Sequence, residues 1–329
     1  MKHRTIKSPP NFLNINEIAP LLGNISPQGI YKILKKESID SVLINRKKRV
    51  VTPSGVRKLL NNRGFKHSKK IISLDMIKGG VGKTTISATL GIRASHYGCK
   101  TLLIDFDLQG NLTRSFNLPS DEFFVWLNVI KGEKKIEECI VGVNEYLDII
   151  PSNLNNSRLD IEISSANLNI KDLVRDILDP IKNKYDLIII DCPPAINKVS
   201  ASAICASDHI IIPLTPDPYA MDGLTMTINE IRRLKKAFKL HDLSFFTVWN
   251  KYDARKRLGA IYMHDLLKDF SADLVLPVVI RTDSNYENAI ANANSIFEIP
   301  KAISAKEDID QLAKEILSIN SWIESNRHG

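Results

Sequence analysis

Apolar residues change their spacing along this 329-residue chain. In the front segment they recur at helical intervals: Ile18, Leu21, Leu22, Ile25, Ile30, Ile33 and Leu34 supply one face of two short helices. Asn16 is placed to cap the first, which runs to Leu22 with Pro20 near its first turn and Gly23 ending it. Ser26-Pro27 offers an N-cap followed by proline at the first helical position, opening a second helix to about Lys36. Val42-Leu43-Ile44 and Val50-Val51 flank Asn45-Arg46-Lys47-Lys48-Arg49, the pattern of a hairpin. Thr52-Pro53 then caps a third helix that closes at Gly64. Beyond residue 70 apolar runs alternate with helical patterns. Runs at 71–75, 101–105, 147–151, 186–191, 209–214, 244–249 and 275–280 predict strands, and 84–97 and 219–239 predict helices. YDLIIID and DHIIIPL are apolar without alternation, as parallel strands covered on both faces are. The expectation is an α/β fold, a doubly wound, mostly parallel sheet with helices on both faces. A small module precedes it, giving a division into residues 1–66, a linker at 67–70, and 71–329.

Charge sharpens the division. The net charge is +8, yet residues 1–70 hold 16 Lys and Arg against 3 Asp and Glu, and the remainder holds 29 against 34. A front segment at +13 points to phosphate backbones as a partner. Its helices and basic hairpin resemble a winged helix-turn-helix. That resemblance implies that Gln28, Tyr31, Lys32 and Lys35 face a major groove, with Arg46, Lys47, Lys48 and Arg49 on phosphate or in the minor groove. A purely structural or dimerising module is the other reading. The four cysteines form no C-x-x-C pair, no run of 18 apolar residues occurs, and MKHRTIKSPP lacks an apolar signal core. A cytoplasmic protein with no membrane partner is expected.

The chemistry concentrates in MIKGGVGKTT, residues 76–85, between the first predicted strand of the body and its first helix. Gly79, Gly80, Val81 and Gly82 offer backbone N–H groups to phosphate oxygens at a helix N-terminus. Lys83 is placed for the β- and γ-phosphates, Thr84 for Mg²⁺, and Thr85 for the α-phosphate. The first glycine of the usual phosphate-loop spacing is replaced by Ile77, and a second lysine, Lys78, precedes the glycines.

KGGVGKTT resembles the deviant Walker A motif of the ParA/MinD superfamily of dimerising ATPases. TLLIDFDLQGNLT at 101–113, YDLIIIDCPP at 185–194 and DHIIIPLTPDPYAMDGL at 208–224 resemble the ParA partition ATPases in particular, with Leu108 where that family usually has proline. The resemblance covers nearly all of 71–329 and implies ATP and Mg²⁺ as cofactors. It implies that Asp191 holds Mg²⁺ through water, that Asp105 lies near the metal, and that Asp107 orients the attacking water. It gives Lys78 a role across a homodimer interface, on the partner's phosphates, as an arginine finger acts. Asn250 opens N-K-Y-D, a guanine-reading pattern, but the resemblance places an asparagine there against adenine. Arg281 is a candidate for base or DNA contact. The implied partners are DNA, nonspecific and at the protein's own operator, and a ParB-type centromere-binding protein, on the nucleoid. A nucleotide-responsive repressor without a partition role is the alternative. A MinD-like membrane helix at the tail is a third; the stripe Ile309, Leu312, Ile316, Ile319 and Trp322 instead suggests core packing, because DIDQLAKEILSINSWIES is acidic on balance.

Overall fold

The computed structural model describes residues 12–44, 48–119, 122–256, 259, 261–264, 268, 274–284, 286, 295–298 and 303–325. Strand β1 (Leu13–Asn14), helix α1 (Ile15–Ile18) with a following 3₁₀ turn (Ala19–Leu22), α2 (Pro27–Lys36), β2 (Ser41–Ile44), β3 (Lys48–Val51) and α3 (Pro53–Asn61) build the front module. Its strands pair antiparallel in the order β1-β3-β2. Asn14, not Asn16, caps α1: its Oδ1 accepts from Asn16 N at 2.9 Å and Glu17 N at 3.2 Å, and the Glu17 carboxylate accepts from Asn14 N at 2.8 Å. Leu13 and Asn14 are held extended against Val51 and Val50, so the helix starts at Ile15 and Asn16 already lies inside it. The other two caps are as expected: Ser26 Oγ accepts from Gly29 N at 3.2 Å and Thr52 Oγ1 from Gly55 N at 3.1 Å.

The body contains β4 (Lys70–Leu74), α4 (Lys83–His96), β5 (Thr101–Asp105), α5 (Asn111–Arg114), α6 (Trp126–Ile130), β6 (Val141–Asn144), β7 (Leu147–Ile150), α7 (Leu159–Ser165) and α8 (Leu173–Leu178). It continues through β8 (Leu187–Asp191), α9 (Lys198–Ala206), β9 (His209–Leu214), α10 (Pro218–Phe238), β10 (Ser244–Tyr252), β11 (Val275–Arg281), α11 (Ser304–Ile316) and α12 (Ile319–Ser325). The sheet order is β11-β10-β9-β4-β8-β5-β7-β6, parallel throughout except at the β6 edge. Successive strand residues feed opposite cores. Leu103, Leu187 and Ile189 pack on the α4 and α11 side, whereas Leu102, Ile104, Ile188 and Ile190 pack on the face that holds Trp126, Val174 and Val199. The strands β4, β8 and β5 therefore end together, bringing Asp105 and Asp191 into register beside the loop that follows β4.

Phe65 is buried, its ring edge-on to Trp322 at 5.4 Å, and Lys70 already belongs to β4. Arg57 Nη1 donates to Gly98 O at 2.7 Å and to Asp186 Oδ2 at 2.5 Å. Gly98 permits this approach, because a Cβ there would lie 2.5 Å from Pro53 O. Arg93, on the far end of α4 and 2% exposed, donates to Glu17 of the front module at 2.9 Å and to Asp310 of α11 at 2.6 Å. Residues of the module and of the body contribute to one apolar core. Ile309, Leu312, Ile316 and Ile319 are buried in it, as the tail stripe suggested. Among the described residues no helix is long and apolar enough to cross a membrane.

Candidate nucleotide site

The loop between β4 and α4 is shaped by its glycines. Gly80 and Gly82 hold φ of +76° and +97°, and a Cβ on Gly82 would collide with Asn250 Nδ2. Val81 is a buried apolar anchor whose carbonyl accepts from Asn250 Nδ2 at 2.7 Å. Lys83 is buried, and its ammonium donates to Met76 O at 2.8 Å and Lys78 O at 3.4 Å. Burial lowers its pKa, opposed by the charges of Asp75 and Asp191. A cleft of about 630 Å³ opens over the loop, bordered by Gly79, Gly82, Thr84, Thr85, Asp107 and Lys251.

At the base of the cleft, Asp191 accepts from Thr84 Oγ1 at 2.7 Å and from Ser87 Oγ at 3.0 Å. Burial pushes its carboxyl up to about 6 against those two bonds. Asp105 is pushed up to about 8, first by burial and then by the charge of Asp191. Among the described residues no group of three or more His, Cys, Asp or Glu could hold a metal alone. A Thr hydroxyl beside one buried carboxylate fits a cation that also takes phosphate oxygens, the manner of Mg²⁺. A side-chain-free cradle, a helix N-terminus and a buried lysine fit a nucleotide's phosphates.

A family model described as an AAA domain matches residues 69–244, more than half of the chain. The Bacillus subtilis sporulation initiation inhibitor protein Soj is 30% identical over 250 residues, covering 75% of this chain and 98% of its own. The chain belongs to the ParA family of ATPases. The chromosome partitioning protein ParA of Caulobacter vibrioides is 28% identical over 253 residues, covering 76% of this chain and 94% of its own. A solved plasmid partition protein of Borrelia burgdorferi, bound to AMPPNP, superposes with a TM-score of 0.63 at 24% identity, covering 77% of this chain and all of its own. A substituted form of Cyanothece McdA in complex with ATP gives 0.67 at 22%, covering 77% and 98%.

In this ParA-family chain the structure distributes the expected residues unevenly. Lys83, Thr84, Thr85, Asp107 and the glycines border one cleft. Lys78 stands at its edge, and its ammonium is paired with Asp217, the residue capping α10. Burial raises the Asp217 pKa, but bonds from Lys78, Thr215 and Ala220 N bring the balance below the ordinary carboxylate value. Asp105 is committed to its loop: Oδ2 accepts from Thr113 N at 2.9 Å and Thr113 Oγ1 at 2.7 Å, and Oδ1 from Asp107 N at 3.1 Å. Asn250 is 3% exposed, and its amide Nδ2 donates to Val81 O of the phosphate loop. Arg281 is occupied by α11, donating to Asp308 at 2.6 Å and to Glu307 at 3.3 Å. A long cationic side chain on a strand end beside a helix carrying adjacent acids pairs locally.

In the front module Gln28, Tyr31, Lys32 and Lys35 are exposed on α2, and Arg49 donates to Ser41 Oγ at 2.8 Å. Arg46 and Lys47 lie outside the described residues, as does the side chain of Lys48. Asp75, Ser87 and Asp217 were not singled out from sequence. Asp75 carried a signal, a carboxylate ending the apolar run IISL just before the loop; burial pushes it up to about 7 against the pull of Lys83.

Proposed function

We propose that this chain is a partition ATPase that binds ATP and Mg²⁺, closes a sandwich homodimer on two nucleotides, and hydrolyses ATP slowly under stimulation by a ParB-type partner. The observation that carries this reading is the pair of lysines flanking one glycine loop. Lys83 is buried against its own loop, whereas Lys78 sits at the cleft edge, joined to one exchangeable acid. Lys83 serves its own subunit's phosphates. Lys78 leaves Asp217 for the neighbour's phosphates, where a cation offsets charge developing in phosphoryl transfer. Asp107, on the cleft wall, orients the attacking water. The dimer holds nonspecific DNA, and residues 1–66 act as a winged helix-turn-helix that reads the protein's own operator. The exposed side chains of α2 support that part.

Two variants test the division. Lys83→Ala is expected to lose nucleotide binding by calorimetry. Lys78→Gln is expected to keep it but to sediment as a monomer with ATP and Mg²⁺; a stable dimer with normal turnover refutes the role across the interface. One observation favours a second reading, a nucleotide-responsive repressor. The front module grips the far end of α4, the helix that begins at Lys83. Binding to operator and random DNA, with and without ATP, separates the two: a repressor without a partition role ignores random DNA in either state.

A further inference from the structure

Asp75 follows the last residue of β4 and is 4% exposed. Strand alternation turns its side chain away from Asp191. Leu74 packs on the α4 side, where Thr84 and Ser87 hold Asp191. Ser73 points the other way, donating to Ala203 O of α9 at 3.3 Å, and Asp75 shares that face. There it borders a cavity of about 10 Å³ with Ile77, Ser200, Thr227 and Glu230. Thr227 Oγ1, on α10, accepts from Ile77 N at 3.2 Å, so the same wall carries the back of the phosphate loop.

Lys83 is the cation that Asp75 acts on. Its ammonium is anchored on Met76 O, the carbonyl of the residue next to Asp75, at 2.8 Å. Of the charges acting on Lys83, that of Asp75 is the largest. From α10, Glu230 adds a like charge beside Asp75 and is itself bonded to Arg233 at 2.8 Å. Cys192, just after β8, is buried, and its thiol is held neutral by burial and then by the charge of Asp75. From α9, Ser200 presents a hydroxyl already committed to Ala195 O at 2.8 Å. A carboxyl in this setting changes charge near neutral pH, because burial pushes it up to about 7 against the pull of Lys83 and of the Met76 N–H. Arriving phosphates bring negative charge to the other side of Lys83 and compete with Asp75 for its ammonium. Nucleotide binding therefore raises the proton affinity of Asp75.

We propose that Asp75 is a positioning residue for Lys83 and makes nucleotide binding proton-linked. Ionised, Asp75 draws the ammonium to the back of the loop and repels phosphate. Protonated, it leaves Lys83 to the nucleotide. This rests on the reading that Lys83 serves its own subunit's phosphates. Because binding raises the proton affinity of Asp75, the affinity it allows is fully present below the free chain's transition, near pH 7, and is lost as pH rises through the bound chain's transition. Between those limits the affinity falls by up to about tenfold per pH unit.

The test compares the full chain with Asp75→Asn, which keeps the shape and removes the charge, and with Asp75→Ser, a smaller neutral replacement. Thermal melting shows which variant folds as the unaltered chain does, and either one suffices. ADP affinity is measured by calorimetry without Mg²⁺ from about pH 6 to about pH 9. The unaltered chain is expected to bind ADP about tenfold more weakly at the top of this range than at the bottom, beyond whatever change the variants show. At high pH the variants are expected to bind more tightly than the unaltered chain. Asp105, Asp191 and the nucleotide's own phosphates titrate in all three proteins, so the difference between the profiles isolates Asp75. Parallel profiles overturn the proposal. Weaker binding by the variants at every pH also overturns it, because Asp75 then only supports the loop. Absence of ADP binding by the unaltered chain at any pH overturns the nucleotide-site reading itself, and this proposal with it.

Discussion

At Gly82 two constraints meet: a φ of +97° and the amide of Asn250 pressed against the place of a Cβ. Gly82→Ala therefore strains the backbone and displaces Asn250 at once. ATP affinity is expected to fall by at least about tenfold, since about 1–2 kcal/mol of left-handed strain alone approaches that factor. Asn250→Ala removes the donor to a buried carbonyl, Val81 O, and is expected to cost about 1–3 kcal/mol in thermal unfolding. Its effect on GTP and ATP affinity should be equal, because the amide points at the loop; selective loss of one nucleotide in calorimetry returns Asn250 to base recognition. The glycines and Lys83 were legible in the sequence because their roles follow from backbone freedom and charge at fixed spacing. The partners of Asn250, Asp105 and Arg281 were not. Each is set by which chain segment folds against it, and no local spacing encodes that.

Among the elements, the body strands were readable because a strand covered on both faces must be apolar at every position, as Leu187–Asp191 is up to its last residue. The edges were not. β1 has two residues, and β6, Val-Gly-Val-Asn, has neither an apolar run nor clear alternation. α2 was legible from both ends, and its start gives a clean measurement. Ser26→Ala removes the acceptor for Gly29 N and should destabilise the protein by about 1 kcal/mol in denaturant titration. If α2 reads DNA, operator affinity falls further than stability alone explains. At the other end of the module, Arg57→Met unpairs Asp186, and a loss of about 1–3 kcal/mol is expected. A negligible change would mean that the apolar contacts alone dock the module.

For the whole molecule, acid sensitivity is concentrated where module, α4 and α11 meet. Burial, and then the charge of Arg93, press His96 down to about 3, against 6.5 in an ordinary histidine. Below pH 6.5 the unfolded chain takes up this proton and the folded chain refuses it, so stability is lost as pH falls. The loss from this one group between pH 6.5 and 5 is about 2 kcal/mol. Asp75, raised to about 7, acts in the opposite sense, its contribution fading as pH rises from 4 towards 7. Melting His96→Leu beside the unaltered chain at pH 5 and pH 7 isolates the histidine: the variant should lose less on acidification. A chain starting at Ser68 keeps every residue of the nucleotide cleft but bares the surface that covered Phe65, Leu59 and Leu60. It is expected to melt lower and to self-associate, visible in light scattering, where a hinged pair of domains would separate cleanly.

The shared seam also bears on inheritance. A front module held by Arg57 on Asp186, Glu17 on Arg93 and Phe65 on Trp322 draws its landing surface from three distant parts of the body sequence. It cannot be transplanted as a cassette onto a relative that lacks those parts. Exchange of such front modules between lineages therefore has to carry the receiving residues along, or be followed by their re-evolution. A chimera made at residue 68 should recover its stability only when Arg93, Asp186 and Trp322 are grafted with the module.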